Sequence, residues 1–269
     1  MSSALSKLVE LMAKLRDPEN GCPWDLEQNF STIAPCTIEE TYEVVEAIES
    51  GDMTALLDEL GDLLFQVVFY AQMAKERGLF DLNQIITHVT AKMTERHPHV
   101  FGDRDVSTAK DVLHHWEADK LKKRVEKAKR AGNRVPSVLD GVSTALPAST
   151  RALKLQKRAA RVGFDWINAI DIIAKIREET TELEAEIVNK APKEAMEEEL
   201  GDLFFVLVNL SRRLNIDPET ALRKTNRKFE RRFHTIEERL AAKGTPLPSA
   251  SLDEMERLWN EVKAEEKKE

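Results

Sequence analysis

The sequence has 269 residues, a formal net charge of −8 and two cysteines, Cys22 and Cys36. The length suits one large domain or two of ordinary size, and the negative charge disfavours broad binding to nucleic acid or to an anionic membrane. Two cysteines do not make a disulfide framework, so we interpret them as small apolar side chains in a reducing compartment.

The chain also lacks the sequence signals of export and membrane insertion. Residues 1–16 follow an amphipathic helix pattern with charges throughout and have no apolar signal-peptide core. The longest apolar stretch, Leu63–Ala74, contains two glutamines and is too short to span a bilayer. We therefore predict a cytoplasmic protein that binds neither membrane nor nucleic acid.

Helical periodicity runs through the chain, and strand signals are nearly absent, which predicts an all-α fold. The segments with apolar residues at three- and four-residue spacing are Leu5–Leu15, Glu39–Ile48, Leu56–Met73, Leu82–Met93, Ala169–Ile187, Ala195–Leu214 and Ala221–Leu240. The motif Asp17–Gly21 predicts a turn, Gly51 and Gly78 are predicted to end helices, and Asp217-Pro218 is predicted to begin one.

A basic segment, Lys120–Pro136, lies between two halves of similar pattern. We interpret it as a solvated helix that continues into a linker through Gly132-Asn133. The domain boundary is therefore predicted near residue 135, with one domain at 1–135 and a duplicated domain at 136–269.

The most informative motif is a set of acidic residues that occurs once in each half. Residues three apart lie on one face of a helix, so each copy presents two pairs of carboxylates. Four like charges in one place repel strongly unless a cation lies among them. The first copy is Glu40 and Glu43 followed by Glu59 and Asp62, and the second is Glu179 and Glu182 followed by Glu199 and Asp202.

Most helical glutamates are surface charges, but two details favour a functional interpretation. Asp62 and Asp202 directly precede strongly apolar runs, which predicts that both carboxylates are partly buried. Gly61 and Gly201 lie inside helices, where glycine costs about 1 kcal/mol relative to alanine. Close helix approach or room for a ligand would explain these glycines.

The ligand types indicate the metal and the class of substrate. Neither copy has a histidine at ligand spacing, and oxygen ligands alone favour Mg²⁺, with Mn²⁺ as a possible substitute, over iron or zinc. Mg²⁺ usually binds one or two carboxylates together with substrate phosphates. The motif therefore predicts a phosphate ester or anhydride as the substrate.

Basic and aromatic residues recur after each acidic set. Singly, such residues are common as surface charges or core tryptophans, but their recurrence in the same order favours a polyphosphate clamp and a base-stacking tryptophan. The first copy is Lys92 and Arg96 with Trp116 and Lys120, and the second is Lys228 and Arg232 with Trp259 and Lys263. His97, His99, His114 and His115 occur only in the first half, and we interpret them as structural.

Several longer motifs together carry a resemblance to a known family. They are Asp17–Asp25, both acidic sets with their preceding Glu39 and Glu178, His97–Phe101, Val162–Trp166 and Lys228–Phe233. In these motifs the chain resembles the MazG family of nucleoside triphosphate pyrophosphohydrolases, and in particular its two-domain bacterial members.

The resemblance implies tandem helical bundles, homodimerisation, Mg²⁺ dependence and hydrolysis of NTP and dNTP to the monophosphate and pyrophosphate. It also implies that the C-terminal half carries the activity. The residues implied are Glu179, Glu182, Glu199 and Asp202 as metal ligands, Lys228, Arg232, Trp259 and Lys263 as nucleotide contacts, and Glu178 and Glu198 as neighbours that position water or substrate.

Two questions stay open from the sequence. The N-terminal half keeps a second candidate metal site, so it is active, regulatory or structural. The alternative to an enzyme is a non-catalytic helical module that binds nucleotide or a protein partner.

Overall fold

The computed structural model describes residues 3–102, 108, 111–112 and 137–267. In these ranges the chain is helical and has no strand, which confirms the predicted fold class. The chain divides into two compact units, Met1–Trp116 and Glu117–Glu269. The predicted boundary at residue 135 and the basic segment Lys120–Pro136 lie outside the described residues, so both stay predictions.

Within residues 3–102, the first unit has five helices and one short helical turn. Asn29 and Asp81 begin helices as capping boxes, and Asp52 accepts hydrogen bonds from the N–H groups of the next helix. Gly51, with φ of +76°, ends a helix as predicted, because this left-handed conformation favours glycine. The helices are α1 Ser3–Leu15, α2 Pro23–Glu27, α3 Phe30–Ser50, α4 Met53–Glu76, α5 Leu82–Arg96 and α6 Pro98–Phe101.

A tight turn connects α1 to α2, as the motif Asp17–Gly21 predicts. A Cβ atom on Gly21 would lie 2.5 Å from the backbone oxygens of Leu15 and Asp17, so only glycine fits there. Arg16 then fixes the turn to the rest of the unit. Its guanidinium donates to the backbone oxygen of Asp25 and pairs with the Glu76 carboxylate at 2.7 Å.

The core of the first unit lies where α1, α3 and α4 meet. Met12, Ile33 and Phe69 are at most 1% exposed and form its centre. Each supplies a large apolar side chain from a different helix, so burial of this surface holds the three helices together. Leu82 adds α5 to the same cluster.

Within residues 137–267, the second unit has five helices and one turn of 3₁₀ helix, Leu247–Ser249. Asp217 accepts a hydrogen bond from the N–H of Thr220, and Pro218 is in the first turn, as predicted. A separate cluster of Ile236, Leu240 and Leu258 joins the last two helices. The helices are α7 Ala148–Ala160, α8 Ala169–Val188, α9 Lys193–Arg213, α10 Pro218–Ala242 and α11 Leu252–Glu265.

Each unit contains one long antiparallel helix hairpin that carries its acidic set. Helices α3 and α4 are joined by Gly51 and Asp52, and α8 and α9 by residues 189–192. Connections this short keep consecutive helices side by side, so the two carboxylate pairs of each set face one another. Among the described helices, none is both long and apolar enough to cross a membrane.

Candidate metal and nucleotide site

The acidic residues of the second unit converge between α8 and α9. Carboxylate oxygens of Glu179, Glu199 and Asp202 all lie within 4.8 Å of one another. Glu182 is outside this group of three, but it follows Glu179 by one turn of α8. After the larger effect of desolvation, its charge also raises the pKa of Glu199. The hairpin thus brings together the carboxylates that the sequence motif identifies, while their role as ligands stays a prediction.

Burial in this cluster differs from the expectation. Glu179 is the buried member, with 5% of its surface exposed, whereas Asp202 and its counterpart Asp62 are exposed. The prediction that these two aspartates are partly buried was therefore wrong. The apolar run after Asp202 divides between two faces, because Val206 is 5% exposed and Phe204 is 60% exposed.

The pKa values of this cluster report crowding of like charge. Desolvation raises the pKa of Glu199, and the charges of Glu182, Glu179 and Asp202 raise it further. Desolvation and the charge of Glu179 likewise raise the pKa of Glu182. A divalent cation among these oxygens would relieve the repulsion, since an opposite charge favours the ionised carboxylates.

One lysine already compensates part of this charge. The Lys175 ammonium lies 2.7 Å from Glu179 and 2.8 Å from Glu178, and these carboxylates raise the pKa of the lysine. Lys175 is not among the residues predicted from the sequence, although its position four residues before Glu179 places both side chains on one helix face. Glu178 is thereby held at the edge of the cluster, and Glu198 is exposed on α9.

The first unit has a comparable cluster with different members at its centre. Glu40, Glu43 and Glu59 offer carboxylate oxygens within 4.8 Å of one another, and Asp62 raises the pKa of Glu40 after the larger effect of desolvation. The amide nitrogen of Gln66, which is 7% exposed, lies 3.5 Å from a Glu40 oxygen.

The two helical glycines beside these clusters border open space. A Cβ atom built on Gly61 or Gly201 would meet no atom within 4 Å among those compared. Close approach of another helix, one of the two expected explanations, is therefore excluded for the helices that the structure describes in each unit. Room for a ligand remains compatible with the structure.

The predicted nucleotide contacts lie on α10 and α11. The guanidinium carbon of Arg232 is 5.2 Å from the ring centre of Trp259, and the ring of Phe229 is 5.5 Å from the same indole. Trp259 also packs against the core cluster of the last two helices, so it has both a structural and an accessible side.

The lysines of this group extend into solvent. Lys228 and Lys263 are exposed, and Lys228 is one helical turn before Arg232. Among the described residues, no hydrogen bond or ion pair joins Lys228, Arg232, Trp259 or Lys263 to the four carboxylates. The structure therefore places the two groups on separate helix pairs of one unit.

The corresponding residues of the first unit are only partly described. Lys92 and Arg96 lie on α5, while Trp116, Lys120, His114 and His115 lie outside the described residues. The Nδ1 atom of His97 is 2.7 Å from the backbone oxygen of Met93, a contact that suits the structural role expected for this histidine.

Comparison with known proteins assigns the family. A family model described as the MazG nucleotide pyrophosphohydrolase domain matches the chain twice, at residues 28–101 and 168–236. The "Nucleoside triphosphate pyrophosphohydrolase" of Escherichia coli (strain K12) is 48% identical over 263 residues, covering 97% of this chain and 98% of that protein. The chain belongs to the MazG family.

Other MazG relatives agree with this assignment. The "Nucleoside triphosphate pyrophosphohydrolase/pyrophosphatase MazG" of Thermotoga maritima is 42% identical over 257 residues, covering 96% of this chain and 94% of that protein. A Mycobacterium tuberculosis protein named "Nucleoside triphosphate pyrophosphohydrolase" is 31% identical over 183 residues, covering 65% of this chain and 53% of that protein. Membership makes this chain a hydrolase, and both family matches include one acidic hairpin.

Proposed function

We propose that the second unit hydrolyses nucleoside triphosphates, both NTP and dNTP, to the monophosphate and pyrophosphate. In this reaction water attacks the α-phosphorus and pyrophosphate leaves. The convergence of Glu179, Glu199 and Asp202 within 4.8 Å is the observation that carries the proposal. The names of the E. coli and Thermotoga relatives support the substrate class.

The donor set of the cluster fits Mg²⁺, with Mn²⁺ as a substitute. It consists of carboxylate oxygens, which hard divalent cations prefer, and desolvation followed by mutual repulsion raises the pKa values of Glu182 and Glu199. Glu179, Glu182, Glu199 and Asp202 would hold the cation. When bound, the cation would stabilise phosphate charge and increase the acidity of the attacking water.

The remaining residues would bind the nucleotide and move the proton. Lys228 and Arg232 would offset the charge that develops on the leaving pyrophosphate, and Trp259 would stack on the base with Lys263 beside it. Glu178 or Glu198, next to the carboxylates of the cluster, would position the water and accept its proton.

A screen for pyrophosphate release tests the function directly. The protein is incubated with Mg²⁺ and each NTP and dNTP in turn, and pyrophosphate and monophosphate are quantified in equal amounts if the proposal holds. Release of inorganic phosphate alone, or the absence of product with every nucleotide, contradicts it.

For the first unit we propose binding without turnover, the alternative that the sequence left open. Two differences favour this assignment. Cys36 occupies the position of Lys175, so the acidic cluster lacks the lysine. Met93 occupies the position of Phe229, so the first unit lacks that aromatic residue beside its basic residues. Calorimetry with a nucleotide, compared between Glu182→Ala and the double variant Glu182→Ala/Glu43→Ala, measures binding by the first unit without hydrolysis. Identical binding by the two variants would contradict a nucleotide site in the first unit.

We also propose a homodimer, in the cytoplasm as the sequence predicts. Helix α4 exposes an apolar stripe with heptad-like spacing, and α9 exposes the same stripe at Leu200, Phe204 and Leu207. Contiguous exposed apolar surface of this kind is unusual on a monomer. The stripe of α4 comprises Met53, Leu57, Leu60, Leu64 and Val67.

The dimer is tested by changing the stripe and an apolar residue outside it. Leu57→Glu and Phe204→Glu should shift the mass measured by light scattering towards that of one chain. Leu252→Glu, at an exposed leucine that starts α11, serves as the matched control and should not. A wild-type protein of monomer mass at all concentrations contradicts the dimer.

A further inference from the structure

A carboxylate at the end of α11 occupies the arginines at the predicted nucleotide site. Glu266 follows the last residue of α11, and its two oxygens are divided between neighbouring guanidinium groups. One oxygen accepts hydrogen bonds from Arg232 at 2.6 and 2.9 Å, and the other accepts from Arg231 at 2.6 and 3.2 Å. The Glu266 carboxylate thus accepts hydrogen bonds from two guanidinium groups, each of which supplies two N–H donors.

These contacts reach into the part of the site that the proposed function uses. The same Arg232 that binds Glu266 lies over the ring of Trp259, so one guanidinium contacts both the carboxylate and the indole. Arg232 is largely buried, with 12% of its side chain exposed, whereas the Arg231 side chain is 63% exposed. The N–H donors of Arg232 therefore have less access to water than those of Arg231.

A guanidinium fork binds carboxylate and phosphate with the same planar, two-point geometry. An incoming phosphate group and the Glu266 carboxylate would use the same N–H donors of Arg232. The two arginines also lower the pKa of Glu266 to about 2, so the carboxylate keeps its charge at any pH near neutrality.

We propose that Glu266 is an internal competitor for the pyrophosphate portion of the substrate, and so sets the affinity of the site for polyphosphate. The inference rests on the proposed function, which assigns Arg232 to the leaving pyrophosphate. When a triphosphate binds, its phosphate replaces the Glu266 carboxylate on Arg232. Glu266 then pairs with Arg231 alone or is solvated. The monophosphate product lacks the pyrophosphate portion, so under this assignment it should not compete with Glu266.

Removal of the competing charge should tighten polyphosphate binding. Glu266→Ala is predicted to lower the dissociation constant of pyrophosphate and the KM of the nucleotide about two- to fivefold, the value of one exposed ion pair. Glu266→Gln, which keeps hydrogen-bonding capacity without charge, should show a smaller change in the same direction. The inhibition constant of the monophosphate should stay at the wild-type value.

The neighbouring residue provides a matched control. Glu265 has the same charge at the preceding position, but it pairs with Arg239 instead of the Arg231–Arg232 fork. Glu265→Ala therefore changes the net charge equally without freeing Arg232. Two results would overturn the proposal, because each would indicate a general effect of net charge. One is equally tighter binding of pyrophosphate by Glu265→Ala, and the other is tighter binding of the monophosphate by Glu266→Ala.

Direct titration with pyrophosphate keeps this test separate from the test of the reaction. If the wild type releases pyrophosphate from nucleotides and Glu266→Ala binds pyrophosphate no more tightly, the inference fails and the proposed function stands. If the wild type releases none, the proposed function fails, and the titration still decides whether Glu266 competes at the fork. A higher KM with lower kcat in Glu266→Ala would instead make Glu266 a positioning residue and contradict competition.

Discussion

The two acidic hairpins each consist of two long helices with four carboxylates at corresponding positions, yet the surroundings of these carboxylates differ. In the second unit Lys175 pairs with Glu179, the buried carboxylate of the cluster. In the first unit Cys36 holds that position, and among the described residues no lysine or arginine pairs with Glu40. Retention of metal-type ligands is therefore not the property that distinguishes the two sites.

The clusters also differ in which carboxylates meet. Glu43 belongs to the central group in the first unit, whereas its counterpart Glu182 lies outside the central group in the second. Gln66, close to Glu40, is replaced by Val206 at the corresponding position of α9. A duplicated motif has thus been kept while the charge balance around it has changed, and this contrast leads to four tests.

The largest expected effect is the loss of turnover when the second cluster is damaged. Glu182→Ala should reduce kcat/KM for pyrophosphate release at least about 100-fold, comparable with removal of one electrostatic group from an active site. The matched variant Glu43→Ala should cause a far smaller loss, because we place the reaction in the second unit. Circular dichroism checks that both variants remain helical, and equal losses would remove the distinction between the units.

Metal addition is the second test, because a ligand that binds only the folded state stabilises it. Mg²⁺ at 100 times its dissociation constant should raise the free energy of unfolding by about 2.7 kcal/mol for one site. Differential scanning calorimetry of the wild type, Glu182→Ala and Glu43→Ala measures how much of this stabilisation by Mg²⁺ comes from each unit. Chelation should reverse the shift and abolish pyrophosphate release, and a wild-type protein insensitive to chelator would count against the metal.

The third test removes the lysine that distinguishes the two clusters. Lys175→Met should lower the stability of the metal-free second unit, because the buried Glu179 carboxylate loses its ion pair. Mg²⁺ should restore part of this loss by supplying positive charge. Hydrogen exchange in α8 and α9 reports the change, while unchanged exchange there would show that Lys175 contributes nothing.

The smallest expected effect lies in the first unit. Arg16 lowers the pKa of Glu76, so this carboxylate stabilises the fold above its ordinary pKa of 4.5, and the contribution is lost as the pH falls through the lowered value. Glu76→Gln should cost about 1 kcal/mol at neutral pH, since solvent screens the partly exposed pair.

Hydrogen exchange again separates the two units in this variant. Exchange should increase in α1 and α4, which Arg16 joins, and remain unchanged in α8 and α9. The difference from wild type should disappear at pH values well below 4.5. A difference that persists there would assign the effect to packing instead of charge.

The sequence predicted what depends on spacing along one helix or one hairpin. The helices and the convergence of both acidic sets follow from apolar periodicity and three-residue steps, and the breaks at Gly51 and Asp217-Pro218 follow from turn chemistry. Burial was predicted poorly, because the apolar run after Asp202 divides between a core face and an exposed face. Spacing alone does not show which face meets the core.

Contacts between elements distant in sequence were not predictable in the same way. Glu266 reaches Arg231 and Arg232 only because α11 packs back along α10, and no local motif indicates that pairing. Phe229 likewise becomes a neighbour of Trp259 through that packing. Lys175 is different, because its spacing of four residues from Glu179 on one helix indicates this pairing from the sequence alone.

The short hairpin connections have a consequence for folding. Every carboxylate of the first cluster lies within residues 40–62, and every carboxylate of the second within residues 179–202. Contacts so close in sequence have a low entropic cost of loop closure and form early in chains of low contact order. Either hairpin can therefore assemble its complete cluster before the remaining helices pack, and a cation available during synthesis would favour the correct pairing from the start.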